Sequence, residues 1–75
     1  MTTYQVEIDW PSGAVHRATF EAPEGATRAL LVRRGKVAAG MRGRKHINCE
    51  FGDGIEILFV DAMALAYIIE GGMQA

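Results

Sequence analysis

Polar and apolar residues alternate along residues 4–10, YQVEIDW, which puts Tyr4, Val6, Ile8 and Trp10 on one side and Gln5, Glu7 and Asp9 on the other. A period of two over seven residues predicts a half-buried β-strand. Pro11-Ser12-Gly13 is turn chemistry, and residues 14–20, AVHRATF, return as a second strand. A three-residue loop at 11–13 sets the register. It pairs Trp10 with Ala14, Ile8 with His16, Val6 with Ala18 and Tyr4 with Phe20 on one face, and places Glu7 opposite Arg17 on the other. A slip of one residue would mix the two faces.

A second hairpin follows the same logic. HINCEF (46–51) and IEILFV (55–60) flank Gly52-Asp53-Gly54. A two-residue turn would set Phe51 against Glu56, and Cys49 and Ile47 against Leu58 and Val60. A three-residue loop pairs Phe51 with Ile55, Cys49 with Ile57 and Ile47 with Phe59, with Gly54 in the left-handed position of a bulge, and is the preferred register. Leu58 then points to the opposite face, which makes 55–60 an interior strand or one covered on both sides.

Between the hairpins, Ala26, Leu30, Val37, Ala38 and Met41 recur at helical spacing, interrupted by Arg33. Pro23 and Thr27 are start signals and Gly40 a stop signal, so a helix is expected over 26–39. Gly35 inside it costs about 1 kcal/mol relative to Ala. The competing pattern is a hairpin turning at Arg34-Gly35. Residues 61–72, DAMALAYIIEGG, fit either a helix capped by Asp61 and ended by Gly71, or one turn over 61–64 and a last strand over 65–70. Tyr67, Ile68 and Ile69 favour the strand. The expected fold is α+β in class, an antiparallel sheet of four to five strands built as ββαββ plus that last strand, in one domain spanning 1–75.

Composition sharpens this picture. The chain of 75 residues is 49% hydrophobic, and a domain of that size buries only about 60% of its unfolded surface. Apolar residues are therefore expected at the surface, where a second copy or a partner could cover them, and a homodimer is as expected as a monomer. The single Cys49 closes no intrachain disulfide, and no apolar run reaches the roughly 18 residues of a membrane span. With no signal-peptide pattern at MTTYQVEIDW, a soluble cytoplasmic protein is expected.

Candidate chemistry is sparse. His46 and Cys49, three apart on a strand, point to opposite faces, so neither a metal site nor a Cys–His nucleophile pair is expected. Cys49 is expected in the core, and His16 and His46 at strand surfaces. GMRGRK and FGDG match neither a P-loop nor a dinucleotide fingerprint. The carboxylates are spread over strands and turns in no catalytic spacing. No cofactor and no enzymatic activity are expected.

Charge is the strongest functional signal. Seven of the eight Lys and Arg residues lie between Arg28 and Lys45, and no Asp or Glu lies among them, although the net charge is −1. Arg33, Arg34, Lys36, Arg42, Arg44 and Lys45 are the candidate partner-binding residues. Basic residues in a last helical turn also complement the helix dipole with no ligand at all. A pI near 6.0 and the absence of aromatics within the run weigh against a nucleic-acid footprint. The expectation is a small interaction module that regulates or inhibits a protein partner with an acidic surface. Direct nucleic-acid binding through residues 28–45 and a structural homo-oligomer are the alternatives. Met63, Leu65, Tyr67 and Ile69 are a candidate oligomer or partner edge, on the premise that the last strand is an outer one.

Overall fold

Each element starts and stops where local chemistry says it should. In a computed structural model, residues 1–49 and 54–71 are described. The chain runs β1 (Thr2–Asp9), β2 (Val15–Ala22), α1 (Arg28–Ala38), β3 (His46–Cys49), β4 (Ile55–Phe59) and β5 (Ala64–Glu70). The five strands form one antiparallel sheet in the order β2-β1-β5-β4-β3. The expected α+β architecture, with its fifth strand over the tail, is thus the fold observed.

The first hairpin has the expected register. Tyr4 lies opposite Phe20, Val6 opposite Ala18 and Ile8 opposite His16. The loop closes with a 2.9 Å bond from the Trp10 N–H to the Ala14 carbonyl, and Gly13 takes φ 96°, a conformation that costs other residues strain. Glu7 and Arg17 form the expected cross-strand pair at 2.9 Å.

Helix α1 is capped at both ends. The Thr27 hydroxyl accepts from the Leu30 N–H at 3.2 Å. At the other end, Met41 N–H donates to the Lys36 carbonyl at 2.7 Å and Gly40 N–H to Val37 at 3.1 Å, with Gly40 at φ 74°. This is a Schellman closure, which satisfies carbonyls that the last turn leaves without helical partners. Met41 follows it into the core at 3% exposure.

The buried stripe of α1 differs from the one read from the spacing. Leu31, Val32, Gly35 and Ala39 are buried, whereas Val37 is 56% exposed. The reason is Gly35. A Cβ built there would lie 2.8 Å from the Ile68 Cδ1 on β5 and 3.5 Å from the Phe20 ring on β2. The glycine marks the closest approach of helix to sheet, and the helix is rotated to present it. Beneath it Val6, Ile8, Ile57, Phe59, Ala64, Ala66 and Ile68 form the core.

Two further expectations change. The β3–β4 register is shifted by one residue: Cys49 lies opposite Glu56 and Ile47 opposite Leu58, where Ile57 and Phe59 were expected. Ile57 and Phe59 keep the core face of β4 at 0% exposure. The shift turns His46 and Asn48 towards the helix, and Cys49 and Ile47 away from it. Cys49 is therefore a half-buried residue of the outer sheet face, not a core residue. The reading assumed that the two apolar residues of β3 must be buried; on an outer strand they need not be. Phe51 with its expected pairs, and positions 52 and 53 of the expected turn, fall outside the described residues.

The second change concerns the tail. β5 is hydrogen-bonded to β1 on one side and β4 on the other. It is the central strand and offers no free backbone edge, so Leu65, Tyr67 and Ile69 cannot act as an outer strand. Ala64, Ala66 and Ile68 of this strand are buried beneath the helix. Met63, 66% exposed, sits in the turn before β5 at φ 54°.

The Gly35 contact makes a testable statement about stability. Gly35→Ala gains about 1 kcal/mol in helix propensity and loses it by displacing the Ile68 methyl. Ile68→Val removes that methyl, at a cost of about 0.5–1.5 kcal/mol on its own. In urea melts of the four proteins, Gly35→Ala should be neutral or destabilising in the native background and stabilising in the Ile68→Val background. Equal effects in both would show that the helix does not pack here.

A candidate docking groove between the basic helix and an outer strand

A single helix touches both edges of the sheet through its cations. On the β2 side, Arg34 Nη1 donates to the Glu21 carbonyl at 2.8 Å. On the β3 side, Arg28 Nη2 donates to the Cys49 carbonyl at 3.2 Å, and Lys36 Nζ donates to the Arg44 carbonyl at 2.6 Å and to His46 Nδ1 at 3.2 Å. Contacts from Arg28 to Cys49 and from Lys36 back to Arg44 run in opposite chain directions, so α1 lies antiparallel to β3. Outer strands expose unpaired backbone groups, and here cationic side chains take three of the carbonyls at those margins.

Between α1 and β3 this arrangement leaves a groove of about 950 Å³. Its walls are Val32 and Lys36 of the helix, His46 and Asn48 of β3, and Arg42 in the loop between them, and it extends along the exposed helix ridge Ala29–Arg33–Val37. Polar tips on apolar walls are the usual make-up of a binding site. Of the six residues picked out by charge, Arg33, Arg34, Lys36 and Arg42 line the groove, while Arg44 and Lys45 lie beyond it.

The six divide by what they already hold. Arg34 and Lys36 anchor outer strands as described. Arg44 pairs with Asp61 at 3.2 Å on the surface, a contact worth at most about 1 kcal/mol. Arg33, Arg42 and Lys45 are exposed and make no hydrogen bond or ion pair with another described residue. Charge spacing alone could not make this division, because a side chain's target on a distant strand has no local signature. Arg28, which was not among the six, is a strand anchor for the same reason.

His46, in the groove, has a lowered pKa. Its ring is partly buried, and that desolvation, followed by the Lys36 charge, lowers its pKa from the ordinary 6.5. Lys36 can only donate, so Nδ1 is the acceptor and the ring proton sits on Nε2. His46 and Cys49 face opposite sides of the sheet, as their spacing predicted.

The face of the sheet away from α1 has a different character. Ile47, Leu58 and Leu65 lie in register across β3, β4 and β5, and the row continues to Asp9 and Val15. The next row is Cys49, Glu56, Tyr67, Glu7 and Arg17. Oδ1 of Asp9 is sealed without a hydrogen-bond partner among the described residues, and this burial, reinforced by the Glu7 carboxylate and opposed by Arg17, raises its pKa above 3.8. Tyr67 is likewise pushed up, first by desolvation and then by Glu56, Asp9 and Glu7.

No protein family, curated relative or solved structure matches this chain. No helix among the described residues is long and apolar enough to cross a membrane.

The His46 shift has a definite sign. Above pH 6.5 the ring is neutral in both folded and unfolded chains. As the pH falls through 6.5 the unfolded chain takes up the proton first, so stability is lost until the lower folded value is passed. The urea midpoint should therefore fall more steeply between pH 7 and 5.5 for the native protein than for His46→Gln. In an NMR titration Lys36→Met should raise the His46 pKa while leaving it under 6.5, because burial is the larger cause. A His46 that titrates at or above 6.5 in the native protein would contradict the contact.

Proposed function

We propose that this chain is a non-enzymatic binding module that docks an acidic, partly apolar segment of a protein partner against the α1–β3 groove, and regulates or inhibits that partner by occupying the segment. The observation that supports this most is the set of uncommitted cations, Arg33 and Arg42 above all, placed over the apolar ridge and wall of Ala29, Val32 and Val37. Arginine suits such a rim because its planar fork pairs bidentately with carboxylate while its stem packs on apolar surface.

Nucleic acid is the less favoured ligand for two reasons. Among the described residues Phe20 is the one Phe, Tyr or Trp in the groove's lining, and it is stacked on Tyr4 with centroids 5.5 Å apart. It leaves no free platform for a base. Half of the six cations are also engaged within the protein, so phosphate contacts beyond Arg33, Arg42 and Lys45 would break contacts that Arg34, Lys36 and Arg44 already make.

The test is fluorescence anisotropy with a labelled peptide alternating Glu and Leu, beside a labelled single-stranded oligonucleotide, both at low salt. The native protein should bind the peptide more tightly than the oligonucleotide. Arg33→Glu/Arg42→Glu/Lys45→Glu should weaken peptide binding at least about tenfold, a loss of 1.4 kcal/mol or more, with urea stability unchanged within about 0.5 kcal/mol. Tighter oligonucleotide binding, lost in the same variant, would move the assignment to nucleic acid. Absence of both would remove the groove as a binding site.

A further inference from the structure

The two faces of this molecule are electrically opposite. Glu7, Asp9, Glu21 and Glu56 stand on the open sheet face, where Arg17 is the one Lys or Arg among the described strand residues, whereas the cations between Arg28 and Lys45 belong to the helix and to the loop that leads into β3. The open face is also unusually apolar for a face with no covering layer. Ile47, Val15 and Ile69 are 50–52% exposed on it, beside half-buried Leu58, Leu65 and Tyr67. Exposed apolar patches of this kind mark interaction sites.

The helix presents a surface of matching spacing. Ala29, Arg33 and Val37 form a straight exposed ridge of i, i+4, i+8 positions. Successive members are about 6 Å apart along the axis. Rows on one face of a strand repeat every two residues, about 6.6–6.8 Å. A helix laid along the strands therefore sets Val37 on the apolar row of Ile47, Leu58 and Leu65. Arg33 then falls on the row of Glu56, Tyr67 and Glu7, and small Ala29 on the row of Ile69 and Gln5.

We propose that the open sheet face receives the α1 ridge of a second copy of this chain, with Arg33 of one molecule between Glu56 and Glu7 of the next. The proposal rests on the reading of the helix side as an acid-seeking docking surface, and it names a partner for it. Because the two contacting surfaces differ, the contact is heterologous: each molecule leaves one sheet face and one helix face free, so association continues beyond a pair unless a ring closes. The footprint of one helix on five strands is well below a standard interface, which places the association at roughly 10 µM to 1 mM.

Sedimentation velocity across that concentration range tests it. The mean mass of the native protein should rise past twice 8.2 kDa as concentration increases, and return towards 8.2 kDa in 0.5 M salt. Arg33→Glu puts an anion against Glu56, and Glu56→Lys puts a cation against Arg33, so each single variant should remain monomeric. The Arg33→Glu/Glu56→Lys chain restores an opposite-charge pair between copies and should associate like the native protein. That restoration also excludes misfolding as the cause of the single-variant loss. A native protein that stays at 8.2 kDa up to about 1 mM, an association that stops at two copies, single variants that associate undiminished, or a double variant that does not recover would each overturn the proposal. Peptide binding by a strictly monomeric native protein would overturn self-docking alone and leave the groove's proposed function standing.

Discussion

The close approach of α1 to the sheet at Gly35 is the contact on which the rest depends. With no side chain at that position, the helix backbone comes down onto Ile68 of the central strand and onto the Phe20 ring. At that height, Arg34 reaches one outer strand while Arg28 and Lys36 reach the other. A helix lifted by one methyl group would loosen these bonds together. Interiors pack densely enough that such a shift is felt across a small core. The intrinsic cost of glycine in a helix, about 1 kcal/mol, is thus offset by packing and by edge contacts that no local propensity describes.

From this seating follows the division of the basic run. Cations that look alike in the sequence do different work. Arg34 and Arg28 hold strand carbonyls, Lys36 holds the Arg44 carbonyl in the loop before β3, Arg44 pairs with Asp61, Arg33 and Arg42 face solvent around an apolar groove, and Lys45 is exposed beyond it. Four acids, Glu7, Asp9, Glu21 and Glu56, share the opposite face of the sheet, where burial and the neighbouring Glu7 carboxylate raise the pKa of Asp9. A near-neutral net charge therefore conceals a two-faced molecule, and the surface field, not the total charge, governs what approaches each side.

The parts of this structure that were legible in the sequence are those set by nearest neighbours in the chain. Alternation and turn chemistry sufficed for the first hairpin down to its Glu7–Arg17 pair. Thr27 and Gly40 marked the helix ends, and β-branched residues marked the last strand. What escaped was decided between distant elements. Gly35 read as a flaw because its partner, Ile68, lies 33 positions away (68 − 35) on a strand whose place in the sheet was unknown. Sequence order places the tail at an edge, but it does not give sheet order, and β5 inserts between β1 and β4. The β3 register slipped by one because two of its four residues, Ile47 and Cys49, were assumed to need burial. The candidate cations were recognised as a group, but their individual roles depended on carbonyls far along the chain.

The seating of the helix separates structural cations from free ones. Arginine side-chain NMR measures this residue by residue, through the rate of guanidinium rotation in the isolated protein at low concentration. Slow rotation is expected for Arg28 and Arg34, whose Nη atoms hold strand carbonyls, and free rotation for Arg33 and Arg42. Uniformly free rotation would mean that the helix does not clasp the outer strands, and the groove between α1 and β3 would lose its structural basis.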